Sequence, residues 1–145
     1  MFMVGILIVS HGSFAAGLLS AVELIAGKQE KVTTIGLHHE DGVEEFETKV
    51  NQALEDLDDG DGVLVFVDIL GGTPSNVIFR SLAKREFKAI AGMNMAMVVQ
   101  AVMMRDSMEK EELYKNVLEV AQQPPVLLHE MYKDMILNEE KEDEI

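Results

Sequence analysis

The 145 residues, 48% of them apolar, suit one domain that closes a single hydrophobic core. No apolar run is long enough to span a bilayer, the N-terminus lacks the basic leader of a signal peptide, and there is no cysteine for disulfide or thiolate chemistry, so a cytoplasmic protein is expected. Twenty-six acidic residues against twelve lysines and arginines give a formal charge of −14, which repels nucleic-acid phosphates and anionic membranes and favours a partner with a basic face.

Residues 3–9 form a short apolar run rich in β-branched side chains, followed by Ser10-His11-Gly12-Ser13 and then a helical pattern over residues 13–26. This reads as strand, turn and helix, with Gly27 as the C-terminal cap. Residues 31–37 predict a second short strand. Asp41 and Glu44 have capping-box spacing, with Asp41 expected to accept from first-turn amides. Val43, Phe46, Val50, Ala53, Leu54 and Leu57 then recur at helical spacing. The run Asp58-Asp59-Gly60-Asp61-Gly62 breaks that helix, and the continuously apolar residues 63–67 predict a parallel strand buried on both faces.

Asp68 ends this strand, and Gly71-Gly72-Thr73-Pro74 turns the chain into a helix expected over residues 75–84, with Thr73 as N-cap. Residues 87–91 predict a fourth strand, residues 93–104 a short helix and residues 109–122 another. Pro124-Pro125 stops that helix, and residues 126–129 are expected to form a final short strand. The tail over residues 138–145, with five acids and one lysine, is expected to be disordered. The pattern predicts an α/β fold: one doubly wound, mainly parallel sheet with helices on both faces. The domain is expected over residues 1–130 and an acidic, partly disordered tail over 131–145.

His11 and Asp68 form the constellation that carries chemistry. Each stands at or just beyond the end of an apolar run, where the carboxyl ends of parallel strands bind ligands. If the two strands are neighbours, the carboxylate accepts from one ring nitrogen and leaves the other unprotonated and facing outward. Free amides at the helix starts near Ser13 and Thr73, with the hydroxyls of Ser10, Ser13 and Thr73, suit a phosphoryl group. Gly71 and Gly72 let the backbone approach it without a Cβ in the way. Taken singly, each element also has a plain structural reading as a hydrogen-bonded histidine, a turn former or an ordinary helix start.

Three stretches in this order are together far more specific: Ile8-Val9-Ser10-His11-Gly12, Val67-Asp68-Ile69-Leu70-Gly71-Gly72-Thr73-Pro74-Ser75-Asn76, and Ala91-Gly92-Met93-Asn94-Met95-Ala96-Met97. From about residue 3 to about residue 129 the chain resembles the enzyme IIA component of the mannose-family phosphotransferase system. The resemblance implies a phosphocarrier that receives a phosphoryl group on its histidine from HPr and passes it to a histidine of enzyme IIB during sugar uptake. By position, His11 is the phosphorylated residue, Asp68 its orienting carboxylate and Thr73 a helper where many relatives carry serine. It also implies a homodimer in which a late strand, here residues 126–129, completes the partner's sheet. With no IIB region in the sequence, a separate IIB is expected, and the membrane permease components are reached only indirectly.

Other readings stay open at this level. A phosphotransfer subunit for dihydroxyacetone kinase shares the His11 region, and a regulatory module on the same fold would leave His11 unmodified. A phosphohistidine phosphatase or mutase would need arginines near the site. Arg80, Arg85 and Arg105 are the three in the sequence, none adjacent to the His11 or Asp68 motifs. His38-His39-Glu40-Asp41 is a poor metal cluster, because four consecutive side chains do not converge on one ion. No cofactor is called for, and His129 has no partner in sequence. Met93, Met95, Met97, Met103 and Met104 read as adaptable core or subunit contact.

Overall fold

The computed structural model describes residues 3–144. Its elements run β1 (Gly5–His11), α1 (Phe14–Ala26), β2 (Val32–Leu37), α2 (Val43–Leu57), β3 (Val63–Val67), α3 (Gly72–Ser81), β4 (Lys88–Ala91), α4 (Met95–Met104), α5 (Lys110–Ala121) and α6 (Leu128–Asp143). The four strands form one sheet in the order β2-β1-β3-β4, every pairing parallel.

Side chains alternate across a strand, so the two central strands divide their residues between two cores. Ile6, Ile8, Leu64 and Phe66 face one side, where they pack with Ala15, Leu18 and Val22 of α1, Met97, Val98 and Ala101 of α4, and Leu113 and Val117 of α5. Leu7, Val9, Val63, Val65 and Val67 face the other, against Phe46, Val50 and Leu54 of α2 and Val77 and Ile78 of α3. Burial on both faces is why these strands read as unbroken apolar runs.

The winding places a site before any side chain is considered. From β1 the chain leaves over one face through α1 to β2, then returns over the other face through α2 to β3. The crossovers therefore diverge between β1 and β3, and their carboxyl ends border an open crevice. Val9 is in register with Val67, which sets His11 and Asp68 at the same edge.

Several boundaries depart from the sequence reading. Ser13 is the N-cap of α1 but makes no side-chain capping bond. The buried Ser10 hydroxyl instead accepts from the Ala15 amide at 2.8 Å. Gly42, rather than Asp41, precedes the first turn of α2. Asp41 turns back to accept from the His38 amide at 2.8 Å, closing a loop in place of capping the helix. α3 begins at Gly72 with Gly71 as its cap, so Thr73 lies within the first turn. Pro74 still falls where first-turn amides have no helical partner and its missing N–H costs nothing. Gly27 caps α1 as expected, donating to the Glu23 carbonyl at 2.8 Å.

The largest departure follows α5. Residues 126–129 do not form a strand: the prolines withhold two backbone donors and Leu128 starts α6. Residues 128–137 are rich in helix formers and pair with no strand of the sheet, so local propensity decides their form. α6 continues through residues 138–143, where the sequence predicts a disordered tail, and it buries no side chain.

Arg105, immediately after α4, is only 3% exposed. Its guanidinium donates to the Val4 and Lys31 carbonyls at 3.1 Å each, to Gln29 Oε1 at 3.1 Å and to the Glu30 carbonyl. One cation thus ties the loop after α1 to the entry of β1 and the end of α4. Sequence reasoning placed Arg105 away from the site and assigned it no role; its acceptors are 74 to 101 positions away.

Candidate active site

His11 is the last residue of β1, and Asp68 follows β3 by one position. The Asp68 amide donates to the Val9 carbonyl at 3.2 Å, extending the ladder to the base of the carboxylate. Asp68 Oδ2 accepts from both the His11 backbone N–H and its ring Nδ1, each at 2.8 Å, while Oδ1 accepts from the Ile69 amide at 2.9 Å. A carboxylate acceptor assigns the ring proton to Nδ1 and leaves the Nε2 lone pair free. The His11 side chain is 46% exposed and that of Asp68 14%. The imidazole is open to solvent while the carboxylate bonded to it is covered.

Burial works to raise the Asp68 pKa, but the hydrogen bonds from the His11 backbone and ring and from the Ile69 amide outweigh it. The carboxyl is held below its ordinary value. Asp68 is therefore charged at neutral pH, and a positive charge developing on the imidazole would meet a fixed counter-charge.

Gly72 lies against the outer edge of the ring. A Cβ there would sit 3.1 Å from His11 Nε2 and 3.2 Å from Cε1, and Gly71 and Gly72 hold φ values of 88° and 82°. Both facts call for glycine: the conformation disfavours any L side chain, and the space belongs to the imidazole. Thr73 and His11 line one cleft of about 490 Å³, together with Gly12, Leu37, Val43 and the loop 38–41.

The sequence-derived site thus assembles in part. His11, Asp68, Gly72 and Thr73 come together, Gly71 precedes them as the helix cap, and Ser13 is exposed at the start of α1. Ser10 does not open on the cleft, because it is fully buried with its hydroxyl bonded to the Ala15 amide and 3.5 Å from the Gly12 carbonyl. Sequence reasoning missed the loop 38–41 as a wall of the site. The rule that selected His11 and Asp68 would have found it, since this loop follows the carboxyl end of β2.

The cleft lining contains no lysine or arginine among the described residues. Arg80 pairs with Glu47 at 3.3 Å, Arg85 borders a different depression between α2 and the end of α3, and Arg105 is buried. Among the described residues no group of three or more His, Cys, Asp or Glu side chains is arranged to hold a metal ion. None of the described helices is long and apolar enough to cross a membrane.

Comparison with known proteins points to one family. Residues 5–118 match the family described as PTS system fructose IIA component, EIIA-man. The chain is 27% identical over 122 residues to the fructose-specific EIIA component of Bacillus subtilis, covering 83% of this chain and 84% of that protein. It is 38% identical over 104 residues to the mannose-specific EIIAB component of Escherichia coli, which takes in 71% of this chain but 32% of that longer protein. Among solved structures, the EIIA component from Streptococcus agalactiae superposes with a TM-score of 0.80 at 30% identity, covering 88% of this chain and 98% of that one. The IIA protein associated with the fucose utilization operon of Streptococcus pneumoniae gives 0.75 at 29% identity, covering 90% and 97%. The chain belongs to the mannose-family enzyme IIA components of the sugar phosphotransferase system.

Proposed function

We propose that this chain is a histidine phosphocarrier: His11 Nε2 takes a phosphoryl group from HPr and gives it to a histidine of a separate enzyme IIB during sugar uptake. The observation that carries this reading is the double hydrogen bond from His11 to Asp68 Oδ2, which holds the proton on Nδ1 and the reactive lone pair outward. In the forward step that lone pair forms a bond to phosphorus as the P–N bond of the donor breaks. The donor nitrogen keeps the bonding pair. The His11 ring becomes cationic without losing its Nδ1 proton, and Asp68 balances that charge. Delivery to IIB runs the same step in reverse.

A cleft without arginine or lysine supports carriage over hydrolysis. A phosphatase needs cations that stabilise the transition state for attack by water, whereas a carrier must release the group to the next imidazole. Thr73 and the first-turn backbone of α3 supply donors that suit phosphoryl oxygens, with Gly71 and Gly72 at the start of that turn and Ser13 at the start of α1. Exposed apolar residues along 126–135, including Leu128, Met131, Tyr132 and Met135, support a homodimer built through this end of the chain. The working place of such a carrier is the cytoplasm.

Incubation with phosphoenolpyruvate, enzyme I and HPr tests the reading by intact mass. One added phosphoryl group, lost in acid and absent from His11→Ala, is expected. No labelling, or labelling that survives in His11→Ala, overturns it.

A further inference from the structure

We infer that His38 is a phosphoryl-binding residue, placed by the β2–α2 loop to meet the charge that His11 acquires. The inference rests on the phosphocarrier reading above. A phosphoryl group on His11 Nε2 brings negative charge into a cleft already walled by Glu40 and Asp41, in a chain of formal charge −14. With no lysine or arginine in that lining, His38 and His39 are the side chains, besides His11, able to bear positive charge there.

His38 is the better placed of the two. A Cβ on Gly36 would overlap the Gly12 carbonyl and lie 3.4 Å from His38 Nε2. The Gly12 carbonyl requires glycine at position 36, and the His38 ring lies in contact range of that bare backbone at the end of β2, on the side of the turn that follows His11. The loop holds it in that attitude: the His38 amide donates to Asp41 Oδ2 at 2.8 Å, and the Asp41 amide donates to the His38 carbonyl at 3.0 Å. This also accounts for Asp41 closing the loop when its spacing suits a helix cap.

His38 donates a ring N–H to a phosphoryl oxygen, a contact that a charged ring strengthens. The titratable groups around it are His11 at the end of β1 with Asp68 behind it, and His39, Glu40 and Asp41 on its own loop. α2 and α3 contribute Val43 and Thr73, which do not titrate. The contact acts on how firmly the phosphoryl group is retained, so its signature is in the transfer equilibrium.

The test measures the equilibrium share of phosphoryl between HPr and the full-length chain, by intact mass, for the native protein, His38→Gln and His38→Arg. His38→Gln is expected to retain about three- to tenfold less than the native chain. His38→Arg is expected to restore retention, because guanidinium supplies a fixed positive charge and several donors. Ratios between chains on the same donor cancel the properties of HPr. Labelling of His11 to the same share in all three overturns the role of His38 and leaves the phosphocarrier reading standing. Failure of the native chain to be labelled overturns both.

Discussion

Asp68 Oδ2 holds His11 twice, through the backbone N–H and through ring Nδ1, each at 2.8 Å. One oxygen thereby fixes the strand end and the tautomer together. Asp68→Asn places a donor where an acceptor is required, facing either the Ile69 amide or His11, depending on how the amide is turned. Phosphorylation of His11 is expected to slow by about 10²-fold in stopped-time assays with phosphorylated HPr. A rate equal to that of the native chain would remove Asp68 from the mechanism.

The same carboxylate predicts a pH dependence of stability. Its folded-state pKa is depressed despite burial, by the hydrogen bonds from His11 and Ile69. A depressed carboxylate contributes stability above its unfolded pKa, about 4, and loses it as pH falls through the folded value. Asp68→Asn is therefore expected to be less stable than the native chain by about 1–3 kcal/mol near pH 7. Thermal melts should show that gap narrowing as the pH drops below 4, and a gap that stays constant on acidification would contradict the pairing.

Gly72→Ala tests the close approach of the backbone to the imidazole. Its Cβ would stand 3.1 Å from Nε2 in a backbone conformation that L residues rarely hold. The ring must yield and the turn must relax, so labelling should fall by about tenfold or more for a displaced nucleophile. The loss of stability is expected to be only about 1–2 kcal/mol. Unfolding by circular dichroism separates the two effects.

Arg105→Met removes a buried cation while keeping much of its volume. The carbonyls of Val4, Glu30 and Lys31 lose their guanidinium partner. A loss of about 3 kcal/mol is expected, read as a Tm lower by roughly 6–12 °C. His11 lies at the opposite end of β1, so the folded fraction should still be labelled at the native rate.

α6 contributes no buried side chain to its own chain. Replacing Met131 and Tyr132 with Asp is expected to leave Tm within a few degrees, because exposed substitutions change stability by only about 0.5 kcal/mol. If this end of the chain builds the homodimer, sedimentation should shift from dimer to monomer in that variant. A native chain that sediments as a monomer would refute the dimer outright.

Some of this architecture is written locally. Val63–Val67 is apolar at every position and is buried at every position, because a parallel strand covered on both faces leaves no side for a polar residue. Gly27 and the helical spacing from Phe46 to Leu57 likewise act through neighbours within a turn or two. His11 and Asp68 were legible for a related reason, since each ends an apolar run and strand ends are where this fold binds ligands. The caps were less legible: Ser10 reaches the Ala15 amide past Ser13, and Asp41 bonds backward to His38, because short polar side chains choose among several amides of similar energy. Residues 126–129 show the limit most plainly, being β-like in composition yet paired with no strand and partly helical.

The sequence by itself determined the alternation of strands and helices, the apolar faces and the candidate histidine, all of which depend on periodicity and nearest neighbours. Only the tertiary structure decided that β1 lies beside β3, which brings a carboxylate 57 positions away onto the His11 ring. It also decided that Gly72 presses on that ring, that His38 walls the same cleft and that Arg105 spans three segments. Strand order follows from burying two sheet faces at once, a condition on the whole chain, and it is that condition that sets the Asp68 carboxylate against the His11 ring.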